Sequence, residues 1–243
     1  MPAAPAGFGT NTRSRYNEPM ANRAYASIWC RDFSETVQLQ RFGALLATVP
    51  FSESSSGFTE MVIRAVDPAE APVREVDARS NPLHATDIVE IARESLHSDC
   101  AFEVQGTWDV WTYNQAELKW ERRPGLLEII WYGTDYDDAA WRTNGHFQID
   151  FGFEHLFTGH AGLLGIRRTA SVHPQHPTEA AFFAAISDPG KIGEYHEKTR
   201  ENIRKLLDWM QRIEANLAPE KLRLWSEGEE NFEARLEEIL AVR

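Results

Sequence analysis

The chain predicts an α+β fold. Its sheet is mostly antiparallel, with a ferredoxin-like β-α-β-β-α-β start extended by further strands and followed by a C-terminal helical segment. Three observations carry this. Apolar and polar residues alternate over 58–66 and 146–155, the period of a strand. Val37, Leu39, Phe42, Leu45, Leu46 and Val49 recur at the spacing of one helix face. Between residues 24 and 113 the strand and helix signals follow the order of a split β-α-β unit.

The elements follow in order. Ala24 to Cys30 reads as a strand. Ser34 is an N-cap for a helix running to about Thr48, and Pro50 stops it. Phe58 to Val66 is a second strand, turned by Asp67-Pro68 into a third over Val73 to Ala78. Thr86 caps a helix carrying Ile88, Ile91, Ala92 and Leu96. A long strand runs from Cys100 to about Tyr113, and Gly125 to Tyr132 and His146 to His155 add two more. Thr178 caps a short helix to Ile186, broken by Asp188-Pro189-Gly190. Ile203, Leu206, Leu207, Met210, Ile213 and Leu217 mark a long amphipathic helix, and Phe232, Leu236, Ile239 and Leu240 a last one. The organisation expected is a flexible arm over 1–20, a sheet domain over 21–170, and a helical segment over 171–243. That last segment must pack on the sheet or on a partner.

Composition excludes several function classes. The 243 residues are 42% apolar and 26% charged, ordinary values for a folded domain. No apolar run approaches the roughly 18 residues that span a bilayer, so no membrane partner is expected. The N-terminus has no secretory pattern, and two cysteines build no disulfide framework. The expected location is cytoplasmic. Residues 51–160 carry 20 acidic and 8 basic side chains, the whole of the net charge of −12. Such a surface repels phosphate backbones, so nucleic acid is excluded as a partner.

The segment from Gly145 to His160 is richest in chemistry. On a strand, Phe147, Ile149, Phe151 and Phe153 share one face, and His146, Gln148, Asp150 and Glu154 the other. His146, Asp150 and Glu154 are candidate acid–base groups. His146, Asp150, His155 and His160 are candidate metal ligands, because imidazole and carboxylate suit zinc, iron or manganese. Fully extended, His146 to Glu154 spans about 26 Å, so one ion could take two neighbours at most, joined by Glu103, Gln105 or Glu128. A polar outer sheet face explains the same pattern.

Other constellations are weaker. Gly159, Gly162 and Gly165, followed by Arg167 and Arg168, lack the ending of a phosphate loop. His173 and His176 lie between prolines and read as linker. Asp135, Asp137 and Asp138 lack the Gly and terminal Glu of a calcium loop and read as a solvated turn. Cys100 follows His97-Ser98-Asp99 but reads as a buried strand cysteine. The ferredoxin-like pairing predicts that Cys30 and Cys100 lie on adjacent strands. Aromatics crowd 102–141, and Trp108, Asp109, Trp111 and Glu128 are candidate partner-binding residues.

The expected function is a non-catalytic, intracellular protein-interaction or regulatory protein of the inhibitor or immunity type. It would use the acidic, aromatic-rich sheet region, with a protein partner or a second copy of itself. One alternative is a metal-assisted hydrolase using the His146–His160 segment. Another is a small-molecule binding module holding its ligand between the sheet and the C-terminal helices. The sequence names no cofactor and leaves catalysis open.

Overall fold

The fold was obtained as a computed structural model that describes residues 22–114, 117, 119–159, 164, 177–186 and 188–242. The arm over 1–20, His160, Gly162, Gly165, Arg167, Arg168 and the His173–His176 linker lie outside the described residues.

Seven strands form one antiparallel sheet. They are β1 (Arg23–Trp29), β2 (Phe58–Ala65), β3 (Arg74–Asp77), β4 (Cys100–Asn114), β5 (Lys119–Tyr132), β6 (Phe147–Phe153) and β7 (Lys221–Ser226). Their spatial order is β3-β2-β4-β5-β6-β1-β7. The helices are α1 (Glu35–Leu46), α2 (Ala85–Glu94), α3 (Trp141–Asn144), α4 (His155–Thr158), α5 (Pro177–Ile186), α6 (Pro189–Leu217) and α7 (Phe232–Ala241).

The α+β class, the antiparallel sheet and the element order up to β4 match the sequence reading. The pairing does not follow the ferredoxin-like scheme. There β1 and β4 would be neighbours; here β1 lies between β6 and β7, and β4 between β2 and β5. Cys30, just past β1, and Cys100, at the start of β4, are therefore separated by two intervening strands, three spacings or about 14 Å. The later strands decide this: β5 and β6 form antiparallel partners successively, and β1 joins the far side of β6.

Period-two patterning explains the two faces. Met61, Val104, Ile129, Ile149, Ala26 and Leu224 form one row across six strands, all buried beneath the helices. Phe42, Trp131, Phe147, Trp108, Phe151 and Trp209 continue this core into α1 and α6. Helix α6 covers its own sheet: Ile203, Leu206, Trp209, Met210, Ile213 and Leu217 are buried. It begins earlier than expected, because Asp188 caps it, accepting from Gly190 N at 2.8 Å, with Pro189 in the first turn, where its missing N–H costs nothing. Helix α2 likewise starts at Ala85 rather than after Thr86, and the Asp87 carboxylate takes the His84 N–H at 2.8 Å.

Residues 171–243 are not purely helical. After Pro219, Leu222 and Leu224 alternate with Arg223 and Trp225, and this stretch pairs with β1 as the edge strand β7. Two reversals follow glycines. Gly145 has φ +92°, and a Cβ there would lie 2.6 Å from Ile28 N. Gly152 has φ +92° inside a register shift that sets Arg23 opposite Phe153. Phe153 is therefore 45% exposed instead of sharing the buried face of Phe147, Ile149 and Phe151.

Candidate functional site

The face of the sheet opposite the helices carries the polar row. Register places Asp77, Glu60, Gln105, Glu128, Asp150, Tyr25 and Trp225 side by side, one from each strand. Strand spacing of about 4.8 Å makes this a nearly continuous band of side chains. The neighbouring row adds Glu75, Val62, Glu103, Ile130, Gln148, Ser27 and Arg223.

Few cations lie among these acids. Arg64 Nε donates to Glu103 Oε1 at 3.0 Å, and Arg23 Nε donates to Asp150 Oδ2 at 2.5 Å. Glu128 receives only the neutral Gln105 amide, at 3.0 Å. Burial raises Glu128 above the ordinary carboxylate range, and Glu103 and Asp150 raise it further. Burial likewise raises Glu103, against the pull of Arg64, and Asp150, against the pull of Arg23. At one side of the row Tyr25 and Trp225 stack with ring centroids 4.4 Å apart. Tyr25 Oη donates to Glu227 at 3.0 Å, and Trp225 Nε1 donates to Ser27 Oγ at 3.0 Å. One end of this face is covered: Tyr136, Ala140 and Trp141 pack on Ala101, Ile130 and Tyr132. The turn around Asp135, Asp137 and Asp138 is thus anchored by a buried Tyr136.

Among the described residues, the candidates of the His146–His160 segment do not gather into one cluster. His146 is buried between Phe33 and Trp141, with ring centroids 3.8 and 4.6 Å away. Its Nδ1 accepts the Cys30 N–H at 3.0 Å, so the ring proton sits on Nε2. Burial, aided by Arg41, lowers its pKa to about 4. Asp150 lies further along β6, held by Arg23 and by Gly152 N at 2.8 Å. Glu154 is a latch, accepting Gly228 N at 2.9 Å beyond β7. His155 stacks on Phe153 at the far end of β6, and His160 is outside the described residues. Among the described residues, no three His, Cys, Asp or Glu side chains gather around one point. The structure separates these groups because β6 is extended and each end is held by different neighbours.

The four partner-surface candidates divide. Trp108 is fully buried against Phe151, Phe157 and Trp209, so it belongs to the core and presents nothing to a partner. Asp109 is buried and accepts from Ser52 Oγ at 2.6 Å and Glu53 N at 3.2 Å. Trp111 is half-buried against α6: Nε1 donates to Glu201 at 2.5 Å, and Lys198 Nζ sits 3.8 Å from the ring centre. Glu128 alone stands on the open face. Burial, then Asp99, pushes the Cys100 thiol up to about 11, which keeps it protonated and unreactive.

A second feature lies between the sheet and the C-terminal helices, a space for which the sequence reading named no residues. A cavity of about 620 Å³ opens where β6 leaves β5, walled by the outer β4–β5 hairpin and by α4, α5 and α6. Its chain-level signal was the aromatic crowding at 108–120. The chain shows no significant match to known protein families, to curated proteins or to solved structures.

Proposed function

We propose that this chain is a non-catalytic interaction protein whose open sheet face takes a cationic surface of a protein partner. The observation that carries this reading is the band of Glu60, Glu103, Glu128 and Asp150 across four adjacent strands. Burial raises Glu103, Glu128 and Asp150 above the ordinary carboxylate range, and neighbouring acids add a smaller push in the same direction. Lys or Arg side chains laid over the band would offset that push and gain charge-assisted hydrogen bonds. The Tyr25–Trp225 stack beside the band adds a flat surface suited to a guanidinium.

The test is native mass spectrometry after capture from the source cell, with wild type, Glu60→Lys and Glu128→Lys compared. The reading expects a basic partner whose capture weakens with salt and is lost in both reversals. Capture insensitive to both reversals removes the sheet face from the reading, and absence of any protein partner removes the reading itself.

A further inference from the structure

The cavity behind the open face has the opposite character. Between Trp120 and Leu126 the outer edge of β5 has no strand beside it among the described residues, since β6 pairs with β5 only from Glu128 onward. At the fork, Leu126 O is 3.5 Å from the place a Cβ would occupy on Gly152. The gap is closed on its other sides by α4, α5 and α6, and its volume falls within the roughly 300–1,000 Å³ of ligand sites.

Its walls are flat and aromatic. Trp120 stacks on Tyr195 with centroids 5.1 Å apart, and Tyr113 meets Phe182 edge-on at 5.2 Å. Phe151 and Leu156 line the same space. Arg23, Arg123 and His155 line it too, and among the described residues no carboxylate does, in a chain of net charge −12. Arg23 is committed to the buried Asp150. Arg123 is exposed, and its partner Glu121 also holds Asn114 at 3.1 Å and Lys119 at 3.2 Å. Arg123 can therefore turn to a ligand without leaving Glu121 alone. Deeper in, the buried Tyr113 Oη has no hydrogen-bond partner among the described residues. Such a group is costly to leave unmet, and an acceptor atom on a ligand would satisfy it.

We infer that this cavity binds a small organic anion with an aromatic body, its acidic group on Arg123 and its ring between the Trp120–Tyr195 and Tyr113–Phe182 walls. A flat ring suits the aromatic slots. A cationic rim selects the anionic form of a ligand and disfavours cations. The site is separate from the acidic sheet face, and the inference stands whether or not that face has a partner.

The probe is 8-anilino-1-naphthalenesulfonate, titrated into the full chain by fluorescence and calorimetry. Saturation at one probe per chain is expected, with Arg123→Gln weakening it about tenfold. Leu156→Trp, which fills the space, should abolish binding while the melting temperature stays near wild type. Arg123→Gln lies on the surface and keeps the test decisive if Leu156→Trp fails to fold. The neutral analogue N-phenyl-1-naphthylamine should bind much more weakly. No saturable binding, binding unchanged in Arg123→Gln, or equal binding of the neutral analogue would each overturn the inference.

Discussion

The open sheet face and the cavity lie within one sheet's thickness of each other, yet they present opposite charge. On the open face acids from neighbouring strands stand in register, with Arg64 paired to Glu103, Arg23 to Asp150 and Arg79 to Asp77. In the cavity the ionisable lining groups are two arginines and a histidine. A net charge of −12 therefore does not describe the surface any one partner meets. Charge is sorted by strand parity and by where β6 parts from β5. Arg23 joins the two regions, because its side chain pairs with Asp150 on one side and borders the cavity on the other.

The largest expected effect separates the regions by breaking one of them. Asn202 is buried on α6, takes Trp111 N at 2.8 Å, and donates to Trp111 O and Leu156 O at 3.0 Å each. It substitutes for a strand at the edge of β4 and ties two cavity walls to the helix. Asn202→Ala should destabilise the fold by about 3 kcal/mol, because buried backbone groups lose their partners. Urea unfolding measures the loss, and the naphthalenesulfonate titration should show weakened cavity binding with open-face capture retained. Loss of both would show that the two regions are not independent.

A smaller effect tests the covered end of the open face. The folded pKa of His146 is about 4, against 6.5 for an ordinary histidine. Between those values the unfolded chain binds a proton that the folded chain refuses. Stability is therefore full above about pH 6.5 and falls as the pH drops towards 4, by about 2.5 kcal/mol at pH 4.5. The neighbours that matter are Arg41, which disfavours the added charge, and the rings of Phe33 and Trp141. Unfolding curves at pH 7, 5.5 and 4.5 should show the decline in wild type, and His146→Phe should flatten it. An unchanged slope in that variant would assign the acid sensitivity elsewhere.

The smallest effect lies in the band itself. Glu128→Gln removes a half-buried charge that faces Glu103 and Asp150 and has no cation of its own. The expected change is a gain of about 0.5–1 kcal/mol, seen as a higher melting temperature, together with weaker capture of a basic partner. A destabilised variant would mean that the band is internally compensated, and the contrast with the cavity would lose its physical basis.

Much of the fold could be read from local pattern. Alternation located β2, β4 and β6, and the row from Val37 to Val49 located α1. The stripe from Ile203 to Leu217 located α6. The same reading put Asp150 and Glu128 on a polar face. Sequence reading began β5 at Gly125, whereas it starts at Lys119 and runs through Arg122, Arg123 and Pro124, the edge position leaving Pro124's missing N–H harmless. It placed Trp108 and Trp111 on opposite faces, as parity requires. It could not show that α6 would cover both, the first in the core and the second through Glu201 and Lys198.

By itself the sequence determined what depends on neighbours along the chain: which stretches are strands or helices, which side chains share a face, and where acid is concentrated. Only the tertiary structure decided which strands pair. That choice put two strands between Cys30 and Cys100, left His146, Asp150, Glu154 and His155 as separately held groups, and aligned acids from four strands into one band. It also opened the cavity, because β6 pairs with β5 only from Glu128 onward. The physical reason is that parity fixes a side chain's face, whereas pairing order and register fix its neighbours. Those depend on contacts between residues more than a hundred positions apart, such as Arg23 with Asp150 and Tyr25 with Trp225.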